Sequence, residues 1–275
     1  MKETWIHPLM GVLKGALIGT GAILPGISGG VLAVVLGIYE PVMAFLAHPF
    51  RAFKENFFFF LPIVTGFALG VIGLSRVVDF LFRASPEPMI WLFLGLIVGT
   101  LPALFKTAGR DGRTPAAWIA FALSFVFLTA LMFALRMAGT IDVTPNFWWW
   151  MLCGALWAIG LIVPGMSPSS IFIFLGLYQP MAAGIGNLSM PIILPMALGL
   201  LLTVAALAKL FERLLARAYG VVMHLILGFV LASSVGIIPL GSAQSAPLVN
   251  LLCFALGGAV ALLMAHLGTR LELED

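Results

Sequence analysis

Leu24-Pro25-Gly26-Ile27-Ser28-Gly29-Gly30 interrupts an apolar run that begins near residue 9, and a second apolar run, Val31 to Leu36, follows at once. Gly37-Ile38-Tyr39-Glu40-Pro41 closes the passage. The same plan returns 139 residues later as Val163-Pro164-Gly165-Met166-Ser167-Pro168-Ser169-Ser170, with Gly176-Leu177-Tyr178-Gln179-Pro180 behind it. Proline removes a helical N–H and clustered glycines loosen the backbone, so each stretch breaks a hydrophobic helix. Lipid cannot satisfy the freed backbone groups, and such breaks persist only where protein or a polar cavity surrounds them. Two matched breaks point to a shared purpose.

The chain around them reads as an all-α polytopic membrane protein. Of 275 residues 62% are hydrophobic and 9% are charged, too few charges to clothe a soluble domain of this length. Ten apolar segments can be drawn, at roughly 9–24, 31–46, 57–75, 89–105, 116–135, 148–163, 170–185, 191–208, 221–238 and 248–267. Several approach the roughly 20 residues that span a bilayer. Trp5, Phe57, Trp91 and Trp148 sit near segment ends, where interfacial aromatics belong. The segments flanking the two breaks are short. Each pair is either two full spans or a re-entrant hairpin.

The net charge of +3 gives no reason to expect a nucleic-acid partner. Cys153 and Cys253 lie inside apolar segments and read as reduced packing residues. Lys14 interrupts the first apolar run, and a leader would have to be cleaved at the Pro-Gly motif itself, so this segment reads as retained.

The repeat extends beyond the motifs. An offset of 139 pairs Gly15 with Gly154, Gly21 with Gly160, Pro25 with Pro164, Ser28 with Ser167, Tyr39 with Tyr178 and Pro41 with Pro180. After the next loop an offset of 133 takes over. It pairs Pro62 with Pro195, Gly66 with Gly199, Arg76 with Lys209, Asp79 with Glu212, Gly95 with Gly228 and Phe121 with Phe254. The chain therefore divides into a first repeat, 1–146, and a second, 147–275, in one membrane domain.

Five segments per repeat turn the second upside down relative to the first. Loop charge agrees: Lys106, Arg110 and Arg113 fill one loop of the first repeat, whereas the matching Gly241 to Pro247 carries no charge. Conversely, Lys209, Arg213 and Arg217 face a balanced counterpart holding Arg76, Arg83, Asp79 and Glu87. By the positive-inside rule both termini are expected in the cytoplasm.

Inverted repeats with paired discontinuous helices point to a transport site near the midplane. A helix restarting after each break presents free N–H groups and the positive end of its dipole, which suits a phosphate or carboxylate. The candidate anion ligands are Pro25, Gly26, Ser28, Gly29 and Gly30, with Pro164, Gly165, Ser167, Ser169 and Ser170. The competing reading is that Pro and Gly only kink and pack the helices.

Glu40, with Gln179 at its repeat position, is either a proton-coupling acid or an interfacial residue hydrogen-bonding a loop. Arg76 with Asp79, and Lys209 with Glu212, are either surface ion pairs at i, i+3 or part of the pathway. Lys14 either snorkels to the surface or contacts the anion. His224 and His266 read as packing or interfacial residues. No metal-ligand spacing, nucleotide loop or catalytic trio is found, so no cofactor is expected.

Pro25-Gly26-x-Ser28-Gly29-Gly30 with Gly37-x-Tyr39-Glu40, repeated as Pro164-Gly165-x-Ser167 with Gly176-x-Tyr178, resembles the polyprenyl-phosphate transporter family over nearly the full length. The resemblance implies a non-enzymatic carrier of undecaprenyl phosphate from the outer to the cytoplasmic leaflet of the inner membrane. It further implies a role in carrier-lipid recycling for cell-wall biogenesis, with the lipid substrate and membrane lipids as partners. The family's motif residues map onto Pro25, Gly26, Ser28, Gly29, Gly30, Tyr39 and Glu40. Pro168 and Ser169 replace the two glycines in the second motif. The alternatives are an undecaprenyl-diphosphate phosphatase, or a transporter or channel for a small anion. The phosphatase would want a clustered acid, Ser and Arg, and neither motif contains an Arg.

Overall fold

In the computed structural model the chain is a helical assembly, in which residues 8–25, 32, 36, 38, 57–137, 143–162, 168–239 and 246–271 are described. No strand occurs among them. The helices are α1 (Pro8–Ile23), α2 (Phe57–Ala84), α3 (Pro86–Ala108), α4 (Pro115–Met137), α5 (Phe147–Ile162), α6 (Ser169–Phe174), α7 (Tyr178–Gly186), α8 (Met190–Gly236) and α9 (Pro247–Leu271). Ala218, at φ −144° and ψ 44°, leaves helical geometry and divides α8 into two arms.

Among the described residues six stretches are long and apolar enough to cross a membrane: Phe57–Ala84, Pro86–Ala108, Pro115–Ala134, Met190–Leu207, Arg213–Gly236 and Pro247–His266. Their outer faces stay greasy, with Phe58 85% and Leu123 66% exposed. In water each such side chain would forgo about 1.5–3 kcal/mol of burial, whereas lipid contact supplies an apolar surround. By contrast α1 and α5 have 16 residues each. At 1.5 Å per residue they measure about 24 Å, short of a hydrocarbon core of about 30 Å.

Glycines decide which helices pair, because small residues let backbones touch where lipid gives no hydrophobic drive to association. A Cβ on Gly15 would strike the carbonyl oxygen of Ile63, and one on Gly66 that of Val12, so α1 lies directly on α2. Gly154 meets the Met196 carbonyl and Gly199 that of Met151, joining α5 to the first arm of α8. These are the same two contacts moved by 139 residues on the shorter helix and 133 on the longer. Gly95 of α3 abuts the Phe254 carbonyl of α9, and Gly228 of the second α8 arm abuts that of Phe121 in α4. Here the offset of 133 exchanges the partners.

Two contacts sort the loops between the ends of the assembly. Arg110, in the turn after α3, lies 4.1 Å over the ring of Tyr219, beside the bend of α8. The basic loops around Arg110 and Arg217 therefore share one end. At the other end of α3, the Glu87 carboxylate accepts a 2.8 Å hydrogen bond from Asn250 in the first turn of α9.

The short segments of the second half form a hairpin. Gly154 lies seven residues into α5 and its partner Met196 six into α8, so the two helices start level if they run the same way. Gly11, Gly15 and Gly19 meet Pro62, Ile63 and Phe67 in ascending order, which makes α1 and α2 parallel. The matching contacts give α5 and α8 the same sense. Asn187, Leu188 and Ser189 alone join α7 to α8. Three residues reach at most about 11 Å. The chain thus enters along α5 and is back on the same face by the end of α7. The corresponding return segment of the first half, 31–46, lies largely outside the described residues.

Candidate functional site between the two breaks

Helix α1 stops at Ile23, and Leu24 makes the last helical bond, its N–H reaching the Thr20 carbonyl at 3.1 Å. A helix that ends in the membrane leaves its last carbonyls without donors. One of them, the Ile23 oxygen, accepts a 2.7 Å hydrogen bond from the Tyr178 hydroxyl, 155 residues away. Tyr178 is fully buried, and its ring meets those of Phe93 at 5.4 Å and Phe82 at 5.7 Å. The tyrosine that follows the second break therefore braces the end of the helix that leads into the first. The segment after the second break and the helix before the first thus meet in the buried interior.

The Lys14 ammonium donates to the Leu36 carbonyl at 2.6 Å, tying α1 to the backbone just ahead of Gly37. A charge-assisted bond of this kind satisfies a freed carbonyl more strongly than a neutral donor would.

The second break restarts at Pro168, whose carbonyl accepts the N–H groups of Ile171 at 3.0 Å and Phe172 at 3.2 Å as α6 begins. Ser169 and Ser170 are both buried. The Ser170 and Ser233 hydroxyls lie 2.7 Å apart, and Ser233 also donates to the Val230 carbonyl at 3.0 Å. A hydroxyl has one hydrogen. With its one hydrogen Ser233 can serve either Val230 or Ser170, and in both arrangements the Ser170 hydroxyl is engaged with Ser233.

Gly176, at φ +69°, closes α6 in the left-handed conformation. Its N–H reaches the Ile173 carbonyl at 3.0 Å, and that of Leu177 reaches Phe172 at 2.8 Å. This paired closure favours glycine at that position, since a Cβ is strained there.

Helix α7 is then fastened to α2 at both ends. Gln179 donates to Asp79 at 2.5 Å, and Arg76 donates to the Gly186 carbonyl at 2.6 Å. The ion partner of Asp79 is Arg83 at 3.0 Å, one turn on, where sequence spacing pointed to Arg76. Arg76 instead satisfies the end of α7, which deep packing of Gly186 against the Arg76 backbone makes possible.

Of the sequence-derived candidates, the structure brings Lys14, Pro25, Arg76, Ser169, Ser170, Tyr178 and Gln179 into the region joining α1, α2, α6 and α7. Gly26, Ser28, Gly29, Gly30, Tyr39, Glu40, Pro164, Gly165 and Ser167 lie outside the described residues, as do the side chains of Lys209 and Glu212. His224 is fully buried, with Nδ1 2.7 Å from the Gly220 carbonyl and its ring against Trp118 at 5.4 Å, a packing residue. Cys153 and Cys253 are free thiols. No group of His, Cys, Asp or Glu among the described residues is placed to hold a metal ion. Sequence reading passed over Ser233 and Ser75, which a search for polar letters in apolar stripes would have raised.

Fold and site together define a multi-pass membrane protein, helical throughout the described residues, in which Tyr178 of one half is bonded to the end of α1 in the other. The model of the VCA0040-like, undecaprenyl phosphate translocase-like family matches residues 18–251, and the chain belongs to that family. It is 27% identical over 277 residues to a polyprenyl-phosphate transporter of Staphylococcus aureus, covering 96% of each chain. It is 23% identical over 238 residues to a polyprenyl-phosphate transporter of Vibrio cholerae serotype O1, covering 80% of this chain and 74% of the relative. No solved structure matches it.

Proposed function

We propose that this protein carries a polyprenyl phosphate, such as undecaprenyl phosphate, from the outer to the cytoplasmic leaflet for reuse in cell-envelope synthesis, without catalysing a reaction. The observation that carries the reading is the hydrogen bond from Tyr178 to the Ile23 carbonyl, which ties the segment after the second break to the helix before the first. Family membership and the names of the relatives support the lipid substrate.

A lipid phosphate needs a small anion cradle and a greasy flank for its tail. The N–H groups after each break are the cradle, with Ser28, Gly29 and Gly30 on one side and Ser167 and its neighbours on the other. The exchanged glycine contacts support two repeats related by inversion, and the basic loops at one end support cytoplasmic termini in the inner membrane. Glu40 is the proton-coupling group in this reading. Proteoliposomes with undecaprenyl phosphate in one leaflet test the proposal: the protein is expected to move the lipid phosphate, and movement no faster than in protein-free vesicles overturns it.

A further inference from the structure

Ser75 stands in the middle of α2 and is fully buried, yet its hydroxyl meets no hydrogen-bonding partner among the described residues. A serine or threonine inside a helix ordinarily donates to a carbonyl one turn back. Others in this protein do so: Thr20 to Leu17, Thr100 to Ile97, Ser124 to Phe121 and Ser234 to Val230. A hydroxyl left unpaired in an apolar interior costs stability that alanine would not. Its retention needs a reason outside simple packing.

The register of α1 on α2 shows where the hydroxyl lies. Gly15 sits against Ile63 and Phe67, and Gly19 against Phe67 and Val71. One turn further, Ile23 comes level with Val71 and Ser75, so Ser75 stands where α1 ends and the break begins. Val71, Ser75, Val78 and Phe82 follow one another at helical spacing on one face. The three apolar members pack into the core that also holds Ile23, Leu24 and Tyr178. Arg76 and Asp79, on the neighbouring face, are engaged with α7. At the repeat-related position the second half has Ala208, so this hydroxyl belongs to the first break alone.

We propose that Ser75 is a further substrate-binding residue, which donates its hydroxyl hydrogen to the phosphate of a polyprenyl phosphate bound beside the end of α1. The inference rests on the transport reading above and adds a donor from α2 to it.

Binding of undecaprenyl phosphate and of undecaprenol to the purified full chain tests it. Ser75→Ala is expected to keep or raise the Tm of the unliganded protein and to weaken undecaprenyl phosphate binding about tenfold, as loss of one hydrogen bond to a charged group would. Undecaprenol binding is expected to stay unchanged, and Ser75→Thr, which keeps the hydroxyl, to bind the phosphate within about threefold of wild type. Equal binding of the phosphate by wild type and Ser75→Ala overturns the role of Ser75 and leaves the transport reading standing. Equal loss of both lipids makes Ser75 a packing residue and overturns the assignment. Failure of the wild type to bind undecaprenyl phosphate overturns the transport reading itself.

Discussion

The two breaks have the same sequence plan and different surroundings. Around the second, internal partners are already in place: Ser170 is hydrogen-bonded to Ser233, Gly176 closes α6, and Asp79 and Arg76 hold α7 at both ends. Around the first, Tyr178 takes the Ile23 carbonyl, while the buried hydroxyl of Ser75 has no partner among the described residues. Sequence sharpens the contrast, since Gly29 and Gly30 stand where the second copy has Pro168 and Ser169. Glycines leave N–H groups uncovered, whereas proline has none to offer. In the proposed reading the second copy of the motif is a brace, whose neighbours hold one another, and the first is a grip, which offers its donors to the lipid phosphate.

The most severe way to test this division is to fill the grip. Gly29→Leu places a branched side chain over the N–H groups of the first break and is expected to abolish leaflet-to-leaflet transport while the protein still folds. Transport at wild-type rate, with a normal elution profile and Tm, would show that the first break is not the anion cradle. The brace is tested by Tyr178→Phe, which keeps the ring among Phe82 and Phe93 but strands the Ile23 carbonyl. A stability loss of about 1 kcal/mol is expected, the size of one buried hydrogen bond in a membrane protein. Thermal unfolding in detergent measures it, and an unchanged Tm would mean the two breaks are held together by packing alone.

What could be read from sequence was the part set by hydrophobic length and by repeated letters. Six long spans follow from apolar runs, although α2 continues to Ala84 where the apolar reading stopped near residue 75. Arg76, Asp79 and Arg83 ended the hydropathy signal without ending the helix, because long polar side chains find partners at the edge of the assembly. Three of the aligned glycine pairs, Gly15 with Gly154, Gly66 with Gly199 and Gly95 with Gly228, meet equivalent carbonyls, since close approach there tolerates no larger letter.

The bonds around the site were not legible. Tyr178 to Ile23, Lys14 to Leu36 and Ser170 to Ser233 join residues 155, 22 and 63 apart, and two of the three acceptors are backbone carbonyls. A freed carbonyl has no letter of its own. Only the helix that ends before it reveals it.

The halves also differ by chemistry at one aligned position, where the first has the acid Glu40 and the second Gln179. Glu40→Gln is expected to flatten the pH dependence of transport while leaving undecaprenyl phosphate binding near wild type. Proteoliposome rates measured across a pH series, with and without an imposed proton gradient, check this, and an unchanged profile removes Glu40 from the coupling.

Ser170→Ala should have the smallest effect and makes the closest comparison with Ser28→Ala. If Ser170 belongs to the brace, its hydroxyl serves Ser233 and not the lipid phosphate, so its loss should leave transport within about twofold of wild type. Ser233 still has the Val230 carbonyl to donate to in that variant, so the stability cost should stay at or below about 1 kcal/mol. Ser28→Ala, which removes a donor from the proposed grip, should weaken undecaprenyl phosphate binding about tenfold. Binding isotherms for the two variants side by side decide the matter. Equal losses would mean that both breaks hold phosphate, and the Ser170–Ser233 bond would then be the resting arrangement of a second cradle that opens when the lipid arrives.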